Sequence, residues 1–335
     1  FGNMIGRFII TVAALVMCSG AASQQRFGVV KYSANFMRAK PDYEAGLETQ
    51  ALMGTPVKIL SSNRYWLEIS TPDYTAWTTD MGVVQMDSTT LEEYIAAPKC
   101  ICTALWSEIL ASPKKDAARI SDLVAGDLLR VKVNADGKTL KTKSFIPVIL
   151  PDGKEGYIKS SDAESFNVWA ETRSAIAANL ITTANRFLGT PYLWGGYSSK
   201  GLDCSGFVKT VFFLNGVVLY RNASQQAREG MEVPLEGFIP GKSEGNLRPG
   251  DLLFFGRKAT LDSRERITHV ALYIGNGCII HSSQEVRINS LDPSSENYYS
   301  GAKNIVRARR ICDVLGNPYT SVRVIDSPAY FIRKN

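Results

Sequence analysis

Histidine is almost absent from this chain: 335 residues hold two, His269 and His281. The close pair in Lys99-Cys100-Ile101-Cys102 has no second Cys or His cluster beside it, so there is no zinc pattern and no cofactor is expected. No second apolar run follows the N-terminal one, so no membrane span is expected beyond it. Basic clusters are missing too. A net charge of +6 spread over the chain gives no ground for a nucleic-acid partner, although it is compatible with an anionic polymer. With 45% hydrophobic and 21% charged residues, no long stretch reads as disordered. The length allows two or three domains, and a monomer is expected.

What is present begins with residues 1–22, read as an export signal. Met4 is a candidate start, Arg7 a short basic region, Phe8 to Met17 the apolar region, and Ser19-Gly20-Ala21-Ala22 a small-residue cleavage region. This places the mature protein in the periplasm or cell envelope. Cys18, after Leu15-Val16-Met17, leaves acylation open, with Met17 a poor fit before a lipidated cysteine. Strand alternation puts Cys100 and Cys102 on one face, where both read as structural.

Three segments follow. Residues 27–90 contain β-rich runs between turns: Val29–Tyr32, Pro56–Leu60, Tyr65–Ile69 and Thr75–Thr78. Their order resembles a bacterial SH3-like domain, through Gly54-Thr55-Pro56-Val57, Trp66-Leu67-Glu68-Ile69 and Tyr74-Thr75-Ala76-Trp77. Ser88–Ile95 reads as a short linking helix. Residues 99–165 repeat the architecture with divergent sequence, including the turn Pro151-Asp152-Gly153-Lys154 and the ending Gly156-Tyr157-Ile158. From 168 to 335 the pattern changes. Helical periodicity runs from Val168 to Leu188, then a glycine-rich loop, a second helix from Cys204, and strands at Leu252–Phe255, Thr268–Ile274, Cys278–His281, Val286–Ile288 and Ile305–Arg310. A helix followed by an antiparallel sheet gives an α+β fold.

The chemistry centres on Asp203-Cys204-Ser205-Gly206. Asp203 is placed to cap the helix, which puts Cys204 at its first position. There the free N–H groups and the helix dipole would favour a thiolate. A buried, inert cysteine is the competing reading. A thiol nucleophile needs a base, and the base an orienting partner. Both histidines fall on adjacent strands of one expected hairpin. Cys204 is therefore assigned as nucleophile, His269 as general base and later acid, and His281 as its orienting partner.

Residues 185–290 resemble the NlpC/P60 family of cell-wall cysteine peptidases. The resemblance rests on Gly189-Thr190-Pro191-Tyr192-Leu193-Trp194-Gly195-Gly196, Asp203-Cys204-Ser205-Gly206, the run Arg221–Gln226, Pro249–Phe255, Thr268–Gly275 and Ile280-His281-Ser282. With two SH3-like segments in front, the chain is similar to the γ-D-glutamyl-L-diamino-acid endopeptidases, also called dipeptidyl-peptidase VI. This implies a papain-like catalytic fold acting on peptidoglycan stem peptides, with cleavage between γ-D-Glu and the diamino acid. It further implies that the Tyr192 hydroxyl helps form the oxyanion site. Asp203 and Ser205 would bind the amino group of a free N-terminal L-Ala, and the first barrel would close the cleft with an acidic and an aromatic residue. Glu44, Glu48, Tyr74 and Trp77 are the candidates. Trp194 is read as a wall of the cleft or as a core residue. Two other functions stay open: a wall-binding protein with a degenerate catalytic domain, and an acyltransferase on the same fold.

Overall fold

The structure is a computed structural model that describes residues 26–311 and 321–332. The export segment, Cys18 and Cys312 lie outside the described residues.

Seven strands form the first unit: β1 (Arg26–Val30), β2 (Asn35–Arg38), β3 (Leu47–Ala51), β4 (Pro56–Asn63), β5 (Trp66–Ser70), β6 (Thr75–Thr79) and β7 (Val83–Met86). They are ordered β3-β2-β6-β5-β4-β1-β7 around Val30, Met37, Leu67 and Ile69. Helix α1 (Ser88–Ala96) follows, its first turn capped by the Asp87 carboxylate accepting from the Thr90 N–H at 2.8 Å.

The second unit has β8 (Lys99–Cys102), β9 (Trp106–Leu110), β10 (Arg119–Val124), β11 (Leu128–Val131), β12 (Phe145–Ile149), β13 (Glu155–Lys159) and β14 (Ala163–Ser165). Its order, β10-β9-β13-β12-β11-β8-β14, is the first unit's order with every strand advanced by seven. The two units share one topology although their sequences diverge. Cys100 and Cys102 both point into the core of the second unit, while Ile101 between them packs into the core of the third. Burial pushes the Cys100 thiol up to about 12 and raises that of Cys102 as well, so both stay protonated.

The third unit opens with α2 (Phe166–Thr172) and α3 (Ala177–Asn185). The single helix expected over Val168–Leu188 is thus two. The Thr172 hydroxyl turns back onto the Val168 carbonyl at 2.7 Å, and Arg173 takes an extended conformation (ψ 141°) that ends the turn. Helix α4 (Cys204–Phe213) is buried along its whole length. A six-stranded antiparallel sheet lies against it. Its order is Met231–Glu232, Ile305–Arg310, Leu252–Arg257, Arg266–Gly275, Cys278–Ser283, Glu285–Ser290. Val270, Leu272 and Ile280 pack toward the helices; Ala271, Tyr273 and Ile279 fill a second core on the opposite face. The two histidine strands meet at Asn276-Gly277, whose φ values of 53° and 65° make the tight turn that a two-residue hairpin loop needs.

Polar contacts bind the first unit to the third. The Arg221 guanidinium donates through Nε to Thr49 Oγ1 at 2.7 Å, and the Tyr197 N–H donates to Gln50 Oε1 at 2.8 Å. Lys209, buried in α4, lies 3.4 Å from the Asp73 carboxylate and 3.9 Å from the Tyr197 ring centroid. The first barrel is therefore fastened to the helix that carries Cys204.

Candidate active site

Asp203 caps α4, accepting from the Gly206 N–H at 2.7 Å. Its other oxygen accepts from the Gly195 N–H at 2.9 Å, which ties the glycine-rich loop to the helix start. Gly195 needs to be glycine, since its φ is +76° and a Cβ there would meet Leu47 at 2.7 Å. Arg221, 1% exposed, completes the cluster. It grips Asp203 through Nη2 at 2.5 Å and Nη1 at 3.1 Å, and donates to the Ser205 hydroxyl at 3.0 Å. The Asp203 charge is thus already balanced inside the protein. Sequence reading singled out the run Arg221–Gln226 but gave it no role. Gln226 is also fully buried, donating to the Ser205 and Tyr220 carbonyls.

The histidines join in a line across three strands. Asn289 Nδ2 donates to the Asn297 carbonyl at 2.7 Å, which turns Asn289 Oδ1 toward His281 Nε2 at 2.9 Å. His281 Nε2 must then carry its proton, leaving Nδ1 as acceptor. His269 Nε2 lies 2.8 Å from that atom and is the donor. His269 Nδ1 is left with a lone pair. Burial, with His281 beside it, pulls His269 down to about 3, and burial also pulls His281 down to about 4. Both rings are neutral near pH 7, as this tautomer chain requires. Tyr299 lies edge-on to His281, with centroids 4.7 Å apart, and 5.7 Å from His269. Asn289 was not found from the sequence; only the pairing register shows that it shares a face with His281.

Cys204 is 8% exposed, its sulfur meeting the backbone N–H groups of Ser205 and of Val270, the residue after His269. Burial, followed by the Asp203 charge, pushes its thiol up to about 11. Loss of water therefore works against the help that the helix N-terminus gives a thiolate. Tyr192 stands nearby, its N–H held by the Gln284 carbonyl at 2.7 Å. Burial and the proximity of Cys204 and Asp203 push its hydroxyl up to about 12, so it keeps the proton that an oxyanion donor must offer. Trp194 is 71% exposed on the same loop and is not a core residue.

From the first barrel, Glu48 and Tyr74 arrive together. The Tyr74 hydroxyl donates to Glu48 Oε2 at 2.6 Å, beside Asn222 and Arg221. Glu44 is exposed, and Trp77 lies opposite Glu68 within the barrel. No cation pairs with Glu48 among the described residues. The described residues also hold no cluster of three or more metal-ligating side chains, and no helix long and apolar enough to cross a membrane.

A thiol at the start of a buried helix, with two hydrogen-bonded imidazoles on strands of the antiparallel sheet packed against that helix, is the arrangement of the papain-like cysteine peptidases. The comparisons narrow this class. The NlpC/P60 family profile matches residues 189–309, and the bacterial dipeptidyl-peptidase Sh3 domain profile matches residues 37–79. Dipeptidyl-peptidase 6 of Lysinibacillus sphaericus is 30% identical over 283 residues, 81% of this chain and 93% of that protein. A Gamma-D-glutamyl-L-lysine dipeptidyl-peptidase of Bacillus cereus is 29% identical over 273 residues, 77% of this chain and 74% of that protein. The crystal structure of an NlpC/P60 family protein from Bacillus cereus covers 85% of this chain and 99% of its own, with a TM-score of 0.69 at 22% identity, which establishes the shared fold. The chain belongs to the NlpC/P60 family of cysteine peptidases.

Proposed function

We propose that this peptidase hydrolyses the bond between γ-D-Glu and the diamino acid in peptidoglycan peptides with a free N-terminal L-Ala, acting in the periplasm or cell envelope. The observation that carries the reading is Glu48, an unbalanced carboxylate from the first barrel, set against the Arg221–Asp203 cluster next to the nucleophile. An ammonium needs a counter-charge in such a closed site. Asp203 is occupied by Arg221, so Glu48 supplies that charge. Asp203 and Ser205 shape the wall beside it, and Trp194 borders the cleft from the Tyr192 loop. With the first barrel supplying a carboxylate at this end of the site, a short free amino end is expected there and not a continuing glycan-linked chain. The names of the two relatives agree with a dipeptide-releasing activity.

In this reading Cys204 attacks the γ-carbonyl as its proton passes to His269 Nδ1. The imidazolium so formed is held by the lone pair of His281, which Asn289 keeps in the required tautomer. Charge appears only in the transition state, where the Cys204 N–H and the Tyr192 hydroxyl meet the oxyanion. One such donor is worth about 3–4 kcal/mol. His269 then protonates the leaving amine, and water releases the dipeptide.

The test is turnover of L-Ala-γ-D-Glu-L-Lys by the intact chain, with L-Ala-γ-D-Glu read by chromatography. Cys204→Ala is expected to abolish release. Equal turnover of an N-acetylated peptide would remove the free-amine part of the proposal and leave the chemistry standing.

A further inference from the structure

Arg287 has no part in the mechanism above. In the sheet it lies directly opposite His281, so their side chains share a face. It is half-buried, and its charge reaches both His281 and Tyr299, the ring that covers the two histidines. A guanidinium has three nitrogens with hydrogens to donate. Here Nη1 donates to Gln284 Oε1 at 3.2 Å, and Nε is buried with no partner. Among the described residues no carboxylate pairs with Arg287. Gln284 in turn holds the Tyr192 N–H through its carbonyl and adopts a left-handed φ of 68°, so the cation is fixed to the backbone that aims the oxyanion donor. The outer end of this guanidinium is exposed and has no counter-ion, so it is open to an arriving anion beside the histidines.

We propose that Arg287 binds a free carboxylate of the substrate next to the scissile bond, making it a specificity residue for anionic peptides. This rests on the substrate reading given above. A γ-linked D-Glu keeps its α-carboxylate free, and the diamino acid ends in another. Both present the same chemistry to the outer nitrogens of the guanidinium.

The experiment compares kcat/KM of the wild type, Arg287→Gln and Arg287→Lys on three peptides: L-Ala-γ-D-Glu-L-Lys, the same peptide with the D-Glu α-carboxylate as a carboxamide, and the same peptide with the lysine carboxylate as a carboxamide. Arg287→Gln is expected to lose about 10- to 100-fold on the unmodified peptide, the size of one charge-assisted contact. Arg287→Lys should fall between. On one of the two carboxamides the wild type should already be reduced by a similar factor, and Arg287→Gln should change little further. That carboxamide identifies the carboxylate bound. An equal loss on all three peptides, or no loss on any, overturns the inference while the peptidase reading stands. If the wild type does not cleave the unmodified peptide, the substrate reading fails and this inference falls with it. Matching thermal transitions of the variants exclude misfolding as the cause.

Discussion

Replacing Arg221 by Met keeps much of the side-chain volume and removes the charge. The structure fixes what this should cost. Asp203 would keep the Gly195 and Gly206 N–H groups and the Ser205 hydroxyl, and would lose the contacts at 2.5 and 3.1 Å. Thr49 would lose its donor at 2.7 Å, weakening the hold of the first barrel. Removing one partner of a buried pair leaves an unbalanced charge and costs about 3–5 kcal/mol. The assay is urea unfolding of the intact chain, with Asp203→Asn and the double variant alongside. Asparagine still caps a helix, so D203N removes the charge and spares the cap. The double variant buries no carboxylate, and its loss should be smaller than the sum of the single losses by about 2 kcal/mol, a coupling in the range found for contacting residues. A loss below about 1 kcal/mol for R221M, or simple additivity in the double variant, refutes the argument that this ion pair fixes the start of α4.

Other consequences follow from the same geometry. His269 and His281 are held at about 3 and about 4 in the folded chain and return to about 6.5 when unfolded. The unfolded chain therefore binds protons that the folded one refuses. This stability is complete above about pH 6.5 and lost as pH falls toward 4, with about 2 kcal/mol gone per histidine at about pH 5. His281→Asn should lessen the fall in urea midpoint between about pH 7 and 5; an unchanged fall would show that the ring is not held neutral. Alkylation of Cys204 by iodoacetamide should be slow near about pH 6 and rise into the alkaline range, because the thiol rests protonated. Fast labelling that stays level down to about pH 5 would instead reveal a resting thiolate–imidazolium pair. Glu48→Gln should lower kcat/KM about 10- to 100-fold, and Tyr74→Phe about 3- to 10-fold, on peptides with a free amino end. The same losses on N-acetylated peptides would show that the pair does not read the ammonium.

What the sequence made legible follows from the kind of signal each residue leaves. Asp203 announced itself because a capping carboxylate before an apolar run has a local cause and a local effect, and the cap is there at 2.7 Å. The histidine hairpin was equally local, set by alternation and an Asn-Gly turn. Strand β3 left no such trace. Its Thr49 and Gln50 are polar and yet buried, because they hydrogen-bond Arg221 and Tyr197 of another unit. A hydrophobic period marks poorly a strand with buried polar residues, and Glu48 stood only as one of four candidates beside Glu44, Tyr74 and Trp77. Asn289 and Arg287 were hidden differently. Each is an ordinary polar residue of an edge strand until the register sets Arg287 opposite His281 and puts Asn289 on the same face. The setting of Cys204 was hidden too, since the helix start argues for a thiolate and only the packing around it brings in the opposing effect of burial. In this chain, residues that act on neighbours in sequence could be read in advance. Those that act across an interface between units, or through the loss of water, needed the fold, and they include the groups that select the substrate in the function proposed here.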